Sequence, residues 1–213
     1  MMDKKVSIAV IKRLPRYYRF LGDLLDDGIT RISSKELSEK MNVTASQIRQ
    51  DLNNFGCFGQ QGYGYNVELL FEEIKEILGL NKTYNLVILG AGNIGQALLN
   101  YVKFEKRGFK FIGIFDINPN VVGTKIRDLE VKHIKELESF TKENNVDIAV
   151  LAVPVANANE LYKNVVSYGI KGVWNFSNTE LEKENGVIVE NVHLTDSLMT
   201  LAYKFNSNNY LDN

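Results

Sequence analysis

The chain lacks several features that would assign it to a specialised class of proteins. Its 213 residues include one cysteine, Cys57, which excludes an intramolecular disulfide and an all-cysteine metal cluster. Only 3 prolines are present, and with 45% hydrophobic and 24% charged residues the composition excludes a collagen-like or disordered chain. No apolar run approaches the roughly 18 residues that cross a bilayer, and the N-terminal residues lead into no apolar signal segment. We therefore expect a cytoplasmic protein with no membrane partner and no metal.

Basic side chains are concentrated near the N-terminus, although the net charge of the whole chain is only −1. Residues 1–50 carry ten Lys and Arg against six Asp and Glu, whereas residues 81–213 carry 14 against 15. A basic segment on a near-neutral chain is consistent with a surface that binds nucleic acid. A solvated helical surface has the same composition, so charge alone leaves both interpretations open.

The first 80 residues predict a helical domain that begins with an amphipathic helix. Apolar residues between positions 12 and 25 recur at the i, i+3, i+4, i+7 spacing of one helical face. We expect Pro15 in the first turn of this helix, where no N–H is needed, and Gly28 at its end.

Two capping boxes follow, each at the start of a short helix. Ser33 pairs with Glu36 in the first, and Thr44 with Gln47 in the second, which opens a helix over residues 45–54. Two short capped helices joined by a tight turn have the dimensions of a helix-turn-helix. Its small core is predicted from five apolar residues: Leu37, Met41, Val43, Ile48 and Leu52.

A glycine-rich segment follows, in which aromatic residues alternate with glycines between positions 55 and 65. This pattern predicts a two-stranded hairpin with its loop at 59–62, and a hairpin directly after a helix-turn-helix is a wing. Residues 67–78 then predict an amphipathic helix that ends at Gly79. We assign residues 1–80 to a winged-helix DNA-binding domain.

The rest of the chain alternates apolar strands with helices. Strands are predicted at 86–89, 109–115, 147–153, 172–176 and 187–192, with helices at 94–105, 134–144 and 157–168. This alternation predicts the α/β class, with a Rossmann-type parallel sheet over residues 81–192 that is covered on both faces. One more amphipathic helix, 195–206, lies in a C-terminal segment, 193–213, and has no sheet left to cover.

The loop after the first of these strands carries the run Gly90-Ala91-Gly92-Asn93-Ile94-Gly95. Between a strand and a helix, such glycines permit a tight turn, close approach of a pyrophosphate and close packing of the helix. Asp116 ends the next strand, 21 residues after the last glycine, where a carboxylate binds adenosine ribose and repels a 2′-phosphate. We predict a dinucleotide site, the alternative being that these are ordinary loop and turn residues.

The neighbouring residues favour cofactor binding without turnover. The residue after the Asp116 carboxylate is Ile117 and not a basic residue, which favours NAD over NADP. Val153 and Pro154 are expected near the nicotinamide. Hydride transfer needs a proton donor or acceptor, and neither His133 nor His193 has an acidic partner nearby in the sequence. We therefore expect no catalytic residues and a cofactor that acts as a signal. A small NAD-dependent oxidoreductase with an accessory helical domain is the alternative.

This combination of motifs resembles the Rex family of bacterial redox-sensing transcriptional repressors over nearly the whole chain. The matching segments are 13–19, 32–37, 47–52, 55–56, 62–66, 90–95, 115–116, 153–154, 169–172 and 175–176. The resemblance implies a homodimer with two winged-helix heads, two NAD-binding domains and a C-terminal helix exchanged between subunits. It also implies that NAD⁺ permits binding to double-stranded operator DNA and that NADH releases the operator.

The resemblance further implies roles for single residues on the DNA-binding surface and in the switch. Those facing DNA are Lys35 and Ser46 at phosphates, Gln47 and Arg49 at base edges, and Gln50, Gln61 and Tyr63. In the implied switch, Arg19 pairs with the residue at position 193 in the DNA-binding form. Tyr101, expected on the first Rossmann helix and counted among the cofactor-binding residues, contacts that residue in the NADH form.

The sequence departs from the family pattern in three places: the recognition helix, the wing and position 193. The family usually has a basic residue at the position of Gln50, and basic residues in the wing at the positions of Gln60 and Gln61. We therefore expect this chain to make fewer contacts with DNA phosphates, so that its DNA binding depends less on salt. A module that has lost its operator and kept NAD binding is therefore a third interpretation. Cys57, between the recognition helix and the wing, is either a small buried residue or a reactive thiol.

The third departure is His193, where the family usually has Asp. Arg beside a histidine gains less than Arg beside a carboxylate, so the resemblance implies a looser DNA-binding form. We also expect the response to NADH to depend on pH in the range where histidine titrates. On this basis His193→Asp should tighten operator binding.

Overall fold

The computed structural model describes residues 6–55, 59–60 and 64–208. The chain forms two compact units, unit 1 (Met1–Lys82) and unit 2 (Thr83–Asn213). Unit 1 opens with α1 (Ile8–Asp26), whose N-cap is Ser7, and Val10 in its first turn is already buried. The helix thus begins earlier than its predicted start, and Pro15 lies in its interior, so the prediction of a first-turn proline was wrong. The carbonyl that Pro15 leaves without an N–H partner belongs to Ile11, which is 46% exposed and accessible to water.

The helix-turn-helix is confirmed. Helix α2 (Ser34–Met41) carries the full capping box of Ser33 and Glu36, and Asn42 makes the turn in the left-handed conformation, φ 51°. Helix α3 (Ala45–Asn53) is capped by Thr44, which accepts from the backbone N–H of Gln47. The second box is only half formed, because the Gln47 side chain bonds to Asp51 instead. The predicted core is confirmed as buried, except that Val43 is only partly so.

The wing is part of a three-stranded antiparallel sheet. Strands β2 (Gly59–Gln60) and β3 (Gly64–Asn66) form the predicted hairpin, although Gly59 and Gln60, which were expected in its loop, belong to β2. Strand β1 (Arg31–Ile32) pairs with the other edge of β3. A strand of two residues shows no periodicity, so β1 was not predicted. Helix α4 (Val67–Ile77) follows and packs on α1, with stacked rings of Tyr18 and Phe71 at 4.5 Å between centroids.

Unit 2 contains a seven-stranded sheet with helices between its strands, which confirms the α/β class. Its elements are β4 (Tyr84–Leu89), α5 (Asn93–Asn100), β5 (Phe109–Asp116), β6 (Lys125–Ile126), β7 (Leu129–His133), α6 (Leu137–Glu143), β8 (Ile148–Leu151), α7 (Val155–Ser167), β9 (Gly172–Asn175), β10 (Ile188–Asn191) and α8 (Leu194–Asn208). The strand order is β10-β9-β8-β4-β5-β7-β6, parallel except at β6 and β7. Separate apolar clusters, one around Val87 and one around Ile88, pack on opposite faces.

Two predicted helices of unit 2 are shorter than expected. Helix α5 ends at Asn100, and a separate 3₁₀ turn follows at Glu105–Arg107. A second 3₁₀ turn, Ile134–Glu136, precedes α6. The hairpin of β6 and β7 lies between predicted elements and was not predicted. Among the described residues, no helix combines the length and apolarity that a membrane span requires.

Helix α8 lies against no apolar surface of the described chain. Its large apolar side chains remain more than half exposed, for example Leu198 at 64% and Phe205 at 76%. A soluble amphipathic helix normally buries this face, because exposed apolar area of this extent is unfavourable in water.

Candidate functional site

The glycine loop between β4 and α5 has the geometry that a dinucleotide site requires. Gly90 has φ 107°, which favours glycine, and a Cβ there would overlap the carbonyl oxygen of Ala152. A Cβ on Gly95 would overlap the carbonyl oxygen of Gly90. Both positions therefore require glycine for the turn and for packing of α5 against the sheet.

Gly92 is different, because a Cβ there would meet no atom within 4 Å. Gly92 is the N-cap of α5 and makes no side-chain cap hydrogen bond, and Asn93 in the first turn is exposed. Helix N-termini attract anions because their first N–H groups are unpaired. The open space beside Gly92 can thus accept a pyrophosphate.

Asp116 lies at the C-terminal end of β5, next to this loop. One carboxylate oxygen accepts from the backbone N–H of Ala91 at 2.7 Å, and the other from that of Asn118 at 2.8 Å. These two bonds hold the carboxylate at the edge of the loop. A ribose diol can donate to the remaining lone pairs of the same oxygens.

A cavity of about 380 Å³ opens beside these residues at the carboxyl edge of the sheet. Of the predicted cofactor residues it is lined by Gly90, Gly92, Asp116, Ile117, Val153 and Pro154. Ala91 and Gly95 are buried, Asn93 and Ile94 begin α5, and none of these four lines the cavity. A largely apolar wall with a few converging polar groups is typical of cofactor pockets.

One face of α7 also lines the cavity, and sequence reasoning missed it. Its residues there are Asn157, Glu160, Leu161 and Asn164, spaced at three, four and seven residues. Since α7 begins at Val155, directly after the predicted Pro154, the helical period could have identified this face.

Two predicted switch residues of unit 2 lie outside this cavity. Tyr101 is the C-cap of α5 rather than a residue within the helix, is 46% exposed and contacts the ring of Phe104. His193 precedes α8 and bonds through Nε2 to Glu180 at 2.9 Å. The expectation that His193 lacks an acidic partner was wrong, because the loop between β9 and β10 brings Glu180 back to it.

In unit 1, helix α3 carries a carboxylate on its buried face. Asp51 is fully buried and accepts from Arg13 Nε at 2.6 Å and Nη2 at 2.7 Å. It also accepts from the Tyr17 hydroxyl at 2.9 Å and from Gln47 Nε2 at 2.8 Å. Burial raises the pKa of Asp51, but the hydrogen bonds, those from Arg13 first, outweigh burial and hold it below its ordinary value of 3.8.

The predicted DNA-facing residues that the structure describes are on α2 and α3. Lys35, Ser46, Arg49 and Gln50 are exposed, and Gln47 is half-buried. Arg49 Nη1 donates to Ser34 Oγ at 3.0 Å, which links the two helices. Arg19, on α1, is exposed with its guanidinium over the ring of Phe20. The predictions for Gln61, Tyr63 and Cys57 fall outside the described residues.

Two family models match the chain, and they correspond to the two units. The model described as "Putative DNA-binding protein N-terminus" matches residues 5–53, and the model described as "CoA binding domain" matches residues 81–179. Many characterised relatives are named redox-sensing transcriptional repressor Rex. The relative from Clostridioides difficile is 61% identical over 94% of this chain and 96% of its own length, and that from Clostridium novyi 55% identical over 98% and 100%.

Solved structures of a Rex-family repressor, RSP, are also similar. RSP in complex with β-NAD⁺ and operator DNA has a TM-score of 0.89 and 56% identity, covering 97% of this chain and 95% of that chain. RSP in complex with β-NADH has a TM-score of 0.90 and 53% identity, covering 98% of both. With the glycine loop, the exposed recognition helix and this level of identity, the chain belongs to the Rex family of redox-sensing transcriptional repressors.

Proposed function

We propose that this repressor binds operator DNA as a homodimer and is released from it when NADH binds, so that it reports the NADH/NAD⁺ ratio. The observation that carries the proposal is the presence in one chain of an exposed, capped recognition helix and an open glycine loop beside Asp116. The repressor RSP, 56% identical, was crystallised with NAD⁺ and operator DNA, which supports the same partners here. The compartment that we propose for this action is the cytoplasm.

We infer that the cofactor is NAD(H) and lies across the carboxyl edge of the sheet. The pyrophosphate meets the N-terminus of α5, in the space beside Gly92, and the adenosine ribose meets Asp116. A 2′-phosphate would face the carboxylate of Asp116, so NADP is disfavoured. Val153 and Pro154 line the same cavity.

The DNA-binding surface is proposed on α2 and α3. The N-terminal residues of a second helix in this motif reach base edges in the major groove, which assigns Gln47 and Arg49 to bases. The remaining assignments are Lys35 and Ser46 to phosphates, with Gln50, Gln61 and Tyr63 at the same surface.

The homodimer is proposed from α8. An isolated helix of about 15 residues is marginal in water, and α8 exposes an apolar stripe that includes Leu194, Leu198, Leu201 and Phe205. Exchange of α8 with a second copy would cover this stripe. We accordingly propose residues 1–80 as the DNA-binding domain, 81–192 as the NAD(H)-binding domain and 193–213 as the dimerisation segment.

The switch is proposed to use Arg19, Tyr101 and the start of α8. Glu180 bonds to His193, so a carboxylate is present beside this position although the usual Asp is not. The pairing of Arg19 with the residue at position 193 in the DNA-binding form stays a prediction. His193→Asp would set two carboxylates side by side, so the expected tightening of operator binding no longer follows from the charges.

A binding titration distinguishes this function from the alternatives. Labelled operator DNA from the RSP complex is titrated with protein in the presence of NAD⁺ and then of NADH. Tight binding with NAD⁺ and release by NADH are expected. NADH oxidation with simple carbonyl substrates would instead favour an oxidoreductase, and NADH binding without operator binding would favour a module that has lost its operator.

A further inference from the structure

Asp51 accepts hydrogen bonds from more donors than are needed to join two helices. Its carboxylate accepts four hydrogen bonds, two from Arg13 and one each from Tyr17 and Gln47, at 2.6 to 2.9 Å. Arg13 and Tyr17 are on α1, whereas Gln47 is one turn before Asp51 on α3 itself. Three of the bonds join two helices, and the fourth fixes a side chain at the start of the recognition helix.

The bond to Asp51 determines which end of the Gln47 carboxamide turns outward. An ionised carboxylate can only accept, so it must face the amide nitrogen of Gln47 and not the amide oxygen. The backbone N–H of Gln47 is already bonded to the hydroxyl of Thr44 at 3.1 Å. The amide oxygen Oε1 takes no part in the cap, and within the part of the chain that the structure describes no donor is bonded to it.

We infer that Asp51 is a positioning residue for base recognition, because it turns the acceptor Oε1 of Gln47 toward the DNA. This inference rests on the proposed function, in which α3 reads an operator. In the major groove adenine and cytosine present an amino donor, whereas guanine O6 and thymine O4 are acceptors. The fixed amide therefore selects a base with an amino group and rejects an acceptor at the same place.

A purely structural role for Asp51 makes a different prediction. Removing a buried, multiply bonded carboxylate destabilises unit 1 in either case, so loss of stability does not distinguish the two roles. Tyr17→Phe supplies the matched control. It removes one hydrogen bond to the same carboxylate but leaves the bond from Gln47 to Asp51 in place.

The experiment uses the full chain and labelled operator DNA from the RSP complex, read by fluorescence anisotropy. Each base pair of one half-site is changed in turn, and the ratio of affinities for original and altered operator gives the discrimination at that position. Gln47→Ala identifies the position that Gln47 reads. There the wild type is expected to discriminate by roughly five- to 100-fold, in favour of an amino-bearing base.

In Asp51→Asn the carboxamide of Gln47 can turn either way, because Asn offers both an N–H and a carbonyl. Discrimination at that position is expected to fall to about twofold or less, with no further fall in Asp51→Asn/Gln47→Ala. Tyr17→Phe should keep the wild-type ratio at a lower melting temperature. If Asp51→Asn keeps the wild-type ratio, Asp51 serves only to join α1 to α3 and the inference is overturned.

Gln47→Glu decides the matter where Asp51→Asn does not fold. It leaves Asp51 with its bonds from Arg13 and Tyr17, and repulsion between the two carboxylates turns the new side chain away from Asp51. Because a carboxylate can only accept, the preference for an amino-bearing base should persist in Gln47→Glu if an acceptor faces the base, and its loss or reversal would also overturn the inference. A wild type that binds operator no better than random DNA would refute the proposed function itself, which is a separate outcome.

Discussion

Asp116 uses its two carboxylate oxygens on the backbone N–H groups of Ala91 and Asn118. The residue therefore both shapes the glycine loop and presents negative charge at its edge. We predict that Asp116→Arg lowers NADH affinity at least tenfold, about 1.4 kcal/mol, because the ribose acceptor is lost. Isothermal titration calorimetry measures this, with Asp128→Arg, an equal charge change on an exposed hairpin of unit 2, as control. Equal affinity in the two variants would contradict the assignment to NAD(H).

Replacement of glycine by alanine should have opposite effects on stability at two positions of the loop, Gly92 and Gly95. At Gly92 a methyl group has free space and an allowed φ of −75°, so Gly92→Ala should melt at the wild-type temperature. The methyl group would occupy the space left for the pyrophosphate, so NADH affinity should fall tenfold or more. Gly95→Ala should instead destabilise unit 2, since its Cβ would overlap the Gly90 carbonyl. Wild-type NADH affinity in Gly92→Ala would mean that the pyrophosphate lies elsewhere.

At the scale of single elements, the helix-turn-helix and the cofactor site should be separable by mutation. Arg49 is exposed on α3, whereas the glycine loop and Asp116 belong to unit 2. We predict that Arg49→Ala abolishes specific operator binding and leaves NADH affinity unchanged. Lys142→Ala, which removes one exposed cation of unit 2, is the control. Operator affinity within about threefold of wild type, or less than 0.7 kcal/mol, would show that α3 does not read DNA.

The exposed apolar stripe of α8 is the proposed dimer interface. Leu198→Glu/Leu201→Glu places charges in its exposed apolar stripe, which should leave the chain monomeric and weaken operator binding. Thr200→Glu lies on a different face of the helix and should leave the dimer intact. Light scattering after size-exclusion chromatography measures both. A dimeric double variant would place the interface elsewhere.

Elements with a strong local signal were predictable from the sequence, and contacts between distant residues were not. The capping pair Ser33–Glu36 and the glycine run at 90–95 lie within a few residues, so spacing alone identified them. Strands β1 and β6 have only two residues each, which is too short for any periodicity. Glu180 meets His193 across a loop, and Asp51 meets Arg13 from 38 residues away, so only folding reveals these pairs.

At the scale of the whole molecule, regulation requires that the cofactor distinguish two forms of the repressor. A ligand with equal affinity for the DNA-binding and released forms would shift nothing, however tightly it bound. NADH must therefore favour the released form, and operator DNA must in turn weaken NADH binding by the same factor. The two units are thus coupled only if NADH and operator DNA both shift the equilibrium between the DNA-binding and released forms.

The most direct test is the affinity of the full-length protein for the RSP operator, measured by fluorescence anisotropy at saturating NAD⁺ and at saturating NADH. NADH is expected to weaken operator binding at least tenfold relative to NAD⁺, or about 1.4 kcal/mol of coupling. Equal operator affinity with either cofactor would contradict it.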